Sequence, residues 1–350
     1  MKNLKTILKK TILSVTAVSL ATGLTAGLAG CGTSNQSTQG RSTGSEKQVL
    51  RIGVGGSEES GYVLELAALA NKNGYLEEEL NAAGYTVQFV PFASAGPEIN
   101  EALASGAVDA AIYGDFPAFT SKSNGIDTTV VATVNQRMQY GVLAHGNNIQ
   151  TAKDLEGKKV VVLMGSVQQY FWEKYAQANN IDTSKVEVIN STDTASLLQT
   201  SSADAAAGNI YVEKYLENMG VGKIFDEGSS ANVYTTHVFT VKSSILKKNP
   251  QLGTAINKAL IRTYKDAVAD PDSLYEAVAT KNMPKEIMKS EYAFDESLWY
   301  LTPEITGDTK QYYEELNNWL YDHKIIQSKV DVSAFIDTQY FEQAKQELEK

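Results

Sequence analysis

The chain has few of the residues that most often carry enzyme chemistry. Its 350 residues include one cysteine, Cys31, and three histidines, His145, His237 and His323. A single cysteine forms neither an intramolecular disulfide nor a cysteine metal cluster. The histidines are far apart in the sequence, and none has the His-Glu-x-x-His spacing of a zinc peptidase. We therefore expect no metal site, no cofactor and no enzyme activity.

Positive charge is also scarce. The chain has 31 lysine and arginine residues against 41 aspartate and glutamate residues, which gives a formal net charge of −10. So acidic a surface disfavours nucleic acid as a partner. The length is sufficient for two lobes that each bury a core of their own.

The amino terminus differs in composition from the rest of the chain. Four lysines precede an uncharged segment from Thr11 to Leu28 that is rich in small and apolar residues. This is the pattern of a signal peptide, and its ending, Leu28-Ala29-Gly30-Cys31, looks like a bacterial lipobox in which Cys31 is acylated. A retained transmembrane helix is the alternative. We expect residues 1–30 to be a lipoprotein signal peptide and residues 31–48, which are polar and low in complexity, to be a flexible tether.

The segment from Asp154 to Ile181 has a strand–turn–helix pattern from which the rest of the fold prediction starts. It predicts a buried parallel strand over Val160–Met164, followed by a helix with Ser166 and Gln169 as its capping box. The turn Gly165-Ser166 then joins a strand to a helix, where free backbone N–H groups and the helix dipole favour an anion. The alternative is that Ser166 only caps its own helix.

Strands and helices also alternate before this segment. Helices are expected from about Tyr62 and over Gly96–Ser105, and Asp115 is expected to cap the helix that Pro117 helps to start. The predicted strands are Val49–Val54, Thr86–Phe92, Val108–Tyr113 and Thr128–Val134. This alternation predicts an α/β fold with a mostly parallel sheet and helices on both of its faces.

An internal repeat indicates two similar units. A leucine and an aspartate six residues apart, followed by Ala-Ala and a glycine, occur in Leu103–Gly114 and again in Leu198–Gly208. Each copy is expected to end a helix and to start a strand. The strand-like segments Arg137–His145 and Val233–Val241 bracket the second unit and are predicted to cross between two lobes. From Ser243 onward the pattern is helical, and these helices are expected to pack on the first lobe.

The chain resembles the extracytoplasmic substrate-binding proteins of ABC importers, of the sulfonate, nitrate and taurine type. The resemblance is carried, in the expected order, by Ala102–Asp109, Gly114–Pro117, Ile149–Val160 and Gly165-Ser166. It implies a two-lobed, type II periplasmic-binding-protein-like α/β fold with two crossing strands and a ligand cleft between the lobes. Lobe 1 is expected over residues 49–140 and 237–350, and lobe 2 over residues 141–236.

The resemblance also implies where a ligand binds. Relatives often have a tryptophan, an acidic residue and a proline in the loop where this chain has Asn209 and Ile210, which leaves the ligand class open. Arg137 is a candidate partner for an acidic group, with an ordinary exposed arginine as the alternative. The other implied binding residues are Ser57, Ser60, Gly61, Tyr62, Gly114, Asp115, Phe116, Gly165, Ser166, Val167, Gln168, Asn209 and Tyr211.

The implied function is capture of a small organic anion, such as an aliphatic or aromatic sulfonate or taurine, for an ATPase-powered membrane permease. Binding of nitrate, bicarbonate or a thiamine pyrimidine precursor is an alternative, as is a sensory lipoprotein without transport. The thiamine pyrimidine synthase of this fold would require a cysteine cluster, which this chain lacks. We expect a monomer anchored through Cys31 to the outer face of the cell membrane, or to its periplasmic side in a two-membrane cell.

Overall fold

The structure is a computed structural model that describes residues 47–57, 61–93, 96–146, 148–281, 283–292 and 294–350. The predicted signal peptide, the predicted lipid attachment at Cys31 and nearly all of the predicted tether lie outside these residues. Residues Ser45–Lys350 form one compact unit. Within the described part of the chain, no helix combines the length and apolar character needed to cross a bilayer.

The strands form two mixed sheets. The first sheet contains β1 (Gln48–Ser57), β2 (Gly61–Val63), β3 (Tyr85–Phe92), β4 (Ala110–Gly114), β5 (Thr128–Met138) and β11 (Thr235–Lys242). The second sheet contains β6 (Tyr140–Ala144), β7 (Lys159–Val161), β8 (Glu187–Ile189), β9 (Ala205–Asn209) and β10 (Lys223–Asp226).

The two sheets repeat one topology. The first has the order β3-β1-β4-β11-β5, with β2 beside the end of β1, and the second has the order β8-β7-β9-β6-β10. In both, a central strand is parallel to its two neighbours, and the next two strands run antiparallel. The predicted pair of similar units is therefore confirmed. The prediction of a mostly parallel sheet is wrong, because each sheet has one inner strand, β11 or β6, that runs antiparallel to both of its neighbours.

The repeated Leu–Asp pattern has the same structural role in both units. Asp109 stands just before β4 and Asp204 just before β9, and each carboxylate accepts a backbone N–H from the adjacent parallel strand. The donors are Arg51 in β1, at 3.1 Å, and Lys159 in β7, at 2.8 Å. In return, the Asp109 N–H donates to the Arg51 carbonyl and the Asp204 N–H donates to the Lys159 carbonyl. The sequence repeat thus reflects one way of joining a helix to an inner strand.

Helices cover both faces of the first sheet. The described helices are α1 (Leu66–Lys72), α2 (Tyr75–Ala82), α3 (Gly96–Ser105), α4 (Asp115–Ser123), α5 (Val167–Ala178), α6 (Thr194–Gln199), α7 (Ile210–Asn218), α8 (Ser243–Lys248), α9 (Gln251–Ala269), α10 (Pro271–Val278), α11 (Lys285–Tyr292), α12 (Gly307–Asp322), α13 (Val332–Phe335) and α14 (Gln339–Leu348). Buried side chains of α1, α2, α9 and α10 share one core with Ile52 and Phe239 of the first sheet. Those of α3, α4, α12 and α13 share another core with Val130 and Val238. The carboxyl-terminal helices therefore pack on the first sheet, as predicted.

Two connections cross between the sheets. Gln139 alone separates β5 from β6, and residues 227–234 link β10 to β11. The crossings are joined by a hydrogen bond of 2.6 Å between the hydroxyls of Tyr140 and Thr235. The predicted crossing strands are confirmed, and their contact makes them one structural link.

Two local predictions are wrong. Tyr62 does not start a helix, because Gly61, with φ of 87°, turns the chain into β2, which pairs with the end of β1. The helix begins only at Leu66. The strand predicted over Val160–Met164 ends at Val161. Beyond it, the N–H groups of Leu163 and Met164 are donated to side-chain oxygens of Gln168 and Asn190 instead of to a neighbouring strand.

Candidate functional site

A cavity of about 290 Å³ lies between the two sheets, at the carboxyl ends of β1, β4 and β9. Its wall includes Gly55 and Gly114 from the first sheet, and Asn209 and Tyr211 from the end of β9 and the start of α7. We call it the cleft cavity. Such strand ends are where open α/β sheets bind ligands.

The two repeated units place their strand ends on this cavity. β4 ends at Gly114 and β9 ends at Asn209, and each is followed at once by a helix. The Asn209 side chain accepts the Tyr211 N–H at 2.9 Å and so caps α7. β11 runs beside β4 with His237 opposite Gly114, which brings the imidazole into the cavity wall.

Most of the remaining wall is apolar. Ile112, Tyr113 and Met138 face the cavity from the first sheet, and Val212 faces it from α7. Apolar walls with a few placed polar groups are typical of sites for small organic molecules. The cleft cavity is therefore suited to a ligand with a hydrocarbon body.

Glu65 is the first of two carboxyl groups in this wall. It is 7% exposed and has φ of 52°, in the left-handed region that favours glycine. Its Oε2 accepts hydrogen bonds from the Tyr292 hydroxyl and, at 3.3 Å, from the Asn135 amide. Its Oε1 lies 3.2 Å from His237 Nδ1, a close contact without hydrogen-bond geometry. Burial opposes ionisation of Glu65, but these contacts outweigh it and hold its pKa below the ordinary value.

Glu291 is the second carboxyl group. It is 5% exposed, and no described residue donates a hydrogen bond to its Oε2. Burial and the nearby negative charge of Glu65 raise the pKa of Glu291 to about 8, and the positive charge of Lys214 acts weakly in the other direction. The described residues of the wall include no lysine or arginine. The cleft cavity is thus apolar with an acidic end.

Arg137 lies in the wall of a different cavity, of about 520 Å³. Its guanidinium carbon is 3.8 Å from the ring centroid of Tyr234, and the rings of Phe294 and Trp299 follow at 5.3 and 5.7 Å. Aromatic faces stabilise a cation in this arrangement. The next residue, Met138, lines the cleft cavity instead. Arg137 is therefore separated from the acidic end of the cleft cavity.

Of the residues predicted to bind a ligand, Gly114, Asn209 and Tyr211 are brought together in the wall of the cleft cavity. Asp115 and Phe116, which follow Gly114, are buried instead and are not part of that wall. Phe116 packs against the rings of Tyr170 and Trp319, which also contact each other.

Asp115 holds neighbouring elements together. Its carboxylate accepts the Thr236 N–H at 2.7 Å, the Tyr312 hydroxyl at 2.9 Å and the N–H of Phe116 at 2.7 Å. Burial raises its pKa, although the contacts with Thr236 and Tyr312 oppose that rise. It does not occupy the predicted N-cap position, which belongs to Gly114, because Asp115 is already the first residue of α4.

The segment predicted as a binding loop after β1 is instead part of the hairpin that β1 forms with β2. Ser57 pairs with Gly61 at the end of the hairpin, and Ser60 lies outside the described residues. The Tyr62 ring contacts Phe89, with centroids 6.4 Å apart. Tyr62 also lines a small pocket that shares Glu65 with the cleft cavity.

The predicted anion site at Gly165, Ser166, Val167 and Gln168 is occupied by its own side chains. Ser166 accepts the Gln168 N–H at 3.1 Å and caps α5, but the predicted capping box does not form, because the Gln169 side chain does not accept the Ser166 N–H. Gln169 accepts the Gly165 N–H at 2.7 Å, which removes one of the expected free donors. None of these four residues is in the wall of either cavity described above.

Sequence reasoning missed the polar groups of the cleft cavity: Glu65, His237, Glu291 and Tyr292. In a strand over Val233–Val241, Thr236 and His237 point to opposite faces of the sheet. The sequence does not indicate which of these faces lines a cavity. Glu291 has no local signal at all, because it reaches the cavity only through the packing of α11.

Comparison with known proteins identifies the family. The sequence profile described as NMT1/THI5 like matches residues 67–274, more than half of the chain. The chain belongs to the NMT1/THI5-like family. It is 26% identical over 333 residues to a Bacillus subtilis (strain 168) protein named as aliphatic sulfonates-binding, covering 91% of this chain and 94% of the relative.

Solved structures share the fold of this NMT1/THI5-like chain. The periplasmic sulfonate-binding protein SsuA from Methylobacillus flagellatus KT matches with a TM-score of 0.75 and 23% identity, over 87% of this chain and 96% of that one. The desulfurization enzyme DszB, solved with biphenyl-2-sulfinic acid, matches with a TM-score of 0.69 and 14% identity, over 86% of this chain and 99% of that one. The predicted periplasmic-binding-protein-like α/β fold is confirmed, and this fold serves both a binding protein and an enzyme.

Proposed function

We propose that this chain is the substrate-binding component of an ABC importer. It captures a small organic molecule in the cleft cavity and delivers it to a membrane permease driven by an ATPase. The observation that carries this proposal is the apolar cleft cavity, which lies where strand ends of two similar units meet beside two crossing strands. Because the Bacillus relative and the SsuA neighbour are sulfonate-binding by name, we propose an aliphatic or aromatic sulfonate, or taurine, as the ligand.

The two units act as lobes in this proposal. Lobe 1 comprises residues 49–140 and 237–350, and lobe 2 comprises residues 141–236, so that the boundaries fall close to the crossing strands. Closure around a ligand is a hinge motion at these crossings. The ligand is thereby enclosed before it is presented to the permease.

Gly114, Asn209 and Tyr211 contact the ligand in this proposal. The start of α7 directs the positive end of its helix dipole toward the cavity, where Val212 is also in the wall, and this supports an acidic group of the ligand at that end. Ser57, Ser60, Gly61, Tyr62, Arg137 and residues 165–168 stay predictions. They would contact the ligand only after the lobes move.

The chain binds its ligand without converting it in this proposal, although DszB uses the same fold for an enzyme. It acts as a monomer outside the cytoplasm and is held to the membrane by a lipid on Cys31. Mass spectrometry of the protein purified from membranes tests the anchor, because acylation adds a defined mass to the peptide that begins with Cys31. An unmodified Cys31 in that peptide would contradict it.

Thermal unfolding of the purified protein tests the binding proposal. The panel contains alkyl and aryl sulfonates, taurine, nitrate, bicarbonate and thiamine precursors. A ligand present at about a hundred times its dissociation constant adds close to 3 kcal/mol of stability, so we expect a clear rise in melting temperature with an organic sulfonate.

Two variants locate the site. Tyr211→Ala removes an aromatic wall of the cleft cavity and is expected to weaken binding at least tenfold. Tyr321→Ala is the matched control, since Tyr321 is 44% exposed and lies outside that wall. If no member of the panel binds, or if a bound ligand is converted to product, the proposal is wrong.

A further inference from the structure

We infer that the ligand of the cleft cavity carries a protonated nitrogen, which is bound at the acidic end of the cavity by Glu291 with Glu65 beside it. This inference rests on the proposed function and narrows its substrate class. It requires an ammonium or a similar cationic group, whether or not the other end of the ligand is a sulfonate.

The first observation is the unpaired oxygen of Glu291. Oε2 is buried in the cavity wall without a donor from any described residue. A buried acceptor without a partner is costly, and native structures seldom leave one unused. Lys214 donates to the Ser290 carbonyl at 2.6 Å and is not a donor to Glu291 Oε2. The missing donor to Glu291 Oε2 is thus left for a ligand to supply when the lobes close around it.

Another buried carboxylate of this protein shows how such a charge is usually compensated, by pairing with cations. Glu79, 7% exposed, is paired with Lys258 at 2.9 Å and with Arg262 at 2.7 Å. Glu291 is buried to a similar extent but has no such cation among the described residues of the cavity wall. A cationic nitrogen from the ligand would complete the same arrangement.

The charge of the wall selects against an anion at this end. Glu65 and Glu291 face the cavity, and His237 is the one basic side chain among the described residues of the wall. That imidazole already contacts Glu65 at 3.2 Å. A sulfonate placed here would meet the like charge of the ionised Glu65, whereas an ammonium would meet carboxyl oxygens that accept hydrogen bonds.

The backbone at Glu65 supports a binding role. A glutamate with φ of 52° is strained, and the contacts with Tyr292, Asn135 and His237 hold it in place. Residues kept in such conformations concentrate at ligand sites, where the rest of the structure sustains the strain. These contacts keep the Glu65 carboxylate beside Glu291 before a ligand arrives.

Two probes with the same ring test the sign of the ligand charge. Benzylamine is a cation at neutral pH and benzenesulfonate is an anion, and both fit a small apolar cavity. We expect benzylamine to raise the melting temperature and to bind at least tenfold more tightly than benzenesulfonate. Taurine, an aminosulfonate, tests whether both charges are accommodated together.

Two glutamine variants test whether Glu291 binds the cationic group. Glu291→Gln keeps the shape but removes the carboxylate, and we expect it to weaken benzylamine binding at least tenfold. Glu213→Gln is the matched control, because Glu213 is also buried with an unpartnered Oε2 but lies outside the cavity wall. It should leave the affinity unchanged.

Proton release provides a readout on the unmutated protein. Since the pKa of Glu291 is raised to about 8, the group is mainly protonated at pH 7. Pairing with an ammonium ionises it, and the proton leaves to solvent. Calorimetry in buffers of different ionisation enthalpy should detect close to one proton released per benzylamine bound, and none for Glu291→Gln.

The outcomes separate this inference from the proposed function. If benzenesulfonate binds at least as tightly as benzylamine, and Glu291→Gln leaves the affinity for benzylamine unchanged, the inference is wrong while the binding function stands. Benzylamine binding without proton release, or with equal loss in both glutamine variants, also overturns it. If no compound of the sulfonate panel and none of the amine probes binds, the inference and the proposed function are both wrong.

Discussion

At the scale of single residues, three enclosed carboxyl groups differ in what surrounds them. Asp115 accepts hydrogen bonds from Thr236, Tyr312 and Phe116, and Glu65 accepts them from Tyr292 and Asn135. Glu291 has no donor among the described residues for its Oε2. Donors stabilise the ionised form of a carboxyl group, and burial without donors stabilises the neutral form. Glu291 is therefore the group of the three whose protonation depends most directly on a ligand.

Glu291 should make stability depend on pH. Its folded pKa of about 8 is above the ordinary value of 4.5, so between these values the folded state keeps a proton that the unfolded state has lost. The stabilisation from this group is complete below pH 4.5 and is lost as the pH rises through about 8, with a slope of at most about 1.4 kcal/mol per pH unit.

Urea unfolding of the wild type and of Glu291→Gln from pH 5 to 8 measures this effect. The free energy of unfolding of the wild type, taken relative to that of the variant, should fall as the pH rises. A difference that stays constant over the range would show that Glu291 ionises normally in the folded protein.

At the scale of elements, β4 and β9 are supported in the same way. Asp109 and Asp204 each accept a strand N–H, and Asp109 also pairs with the Arg51 guanidinium at 2.8 Å. Both strands end at the cleft cavity, at Gly114 and Asn209. These two aspartates therefore set the positions of the strand ends that form the candidate site.

Substitution of either aspartate should destabilise its unit. Asp204→Ala is expected to cost about 1 kcal/mol, since it leaves the Lys159 N–H without its acceptor. Asp109→Ala should cost more, because the Arg51 pair is lost as well. Asp204→Asn keeps an oxygen acceptor and is the control. Chemical denaturation measures all three, and an asparagine variant as unstable as the alanine variant would contradict the assigned bond.

At the scale of the whole molecule, the crossings link the two sheets. The hydroxyl pair of Tyr140 and Thr235 joins them, and one buried apolar cluster continues from Val130 in the first sheet to Phe171 beside the second. The cleft cavity lies beside this link, with His237 in β11 forming part of its wall. A ligand that contacts both units thus acts across the crossings.

Ligand binding should make the molecule more compact. Small-angle X-ray scattering with and without a saturating ligand is expected to show a smaller radius of gyration in the bound state, because the two units close on the ligand. The Tyr211→Ala variant, at a ligand concentration too low for it to bind, should show no change. An identical radius for free and saturated wild type would contradict closure.

Much of the fold follows from local patterns. The predicted Gly96–Ser105 helix agrees with α3 at both ends, and the strands predicted near β1, β3 and β5 are present. The hairpin at Tyr62 was not predictable, because β2 exists only by pairing with the end of β1. The acceptors around Ser166 were not predictable for a related reason: a capping pattern does not specify that Gln168, Gln169 and Asn190 accept the N–H groups of this turn.

The sequence by itself determined the order of strands and helices, the repeat around Asp109 and Asp204, and the family resemblance. These features depend on apolar runs, turn residues and spacing, which are local. Only the tertiary structure decided that Gly114, Asn209 and Tyr211 meet at one cavity while Arg137 lies in another. It also decided that Glu65 and Glu291 form the acidic end of that cavity. These residues are distant in sequence, and what each side chain meets depends on how α1, α7, α11 and the crossing strands pack.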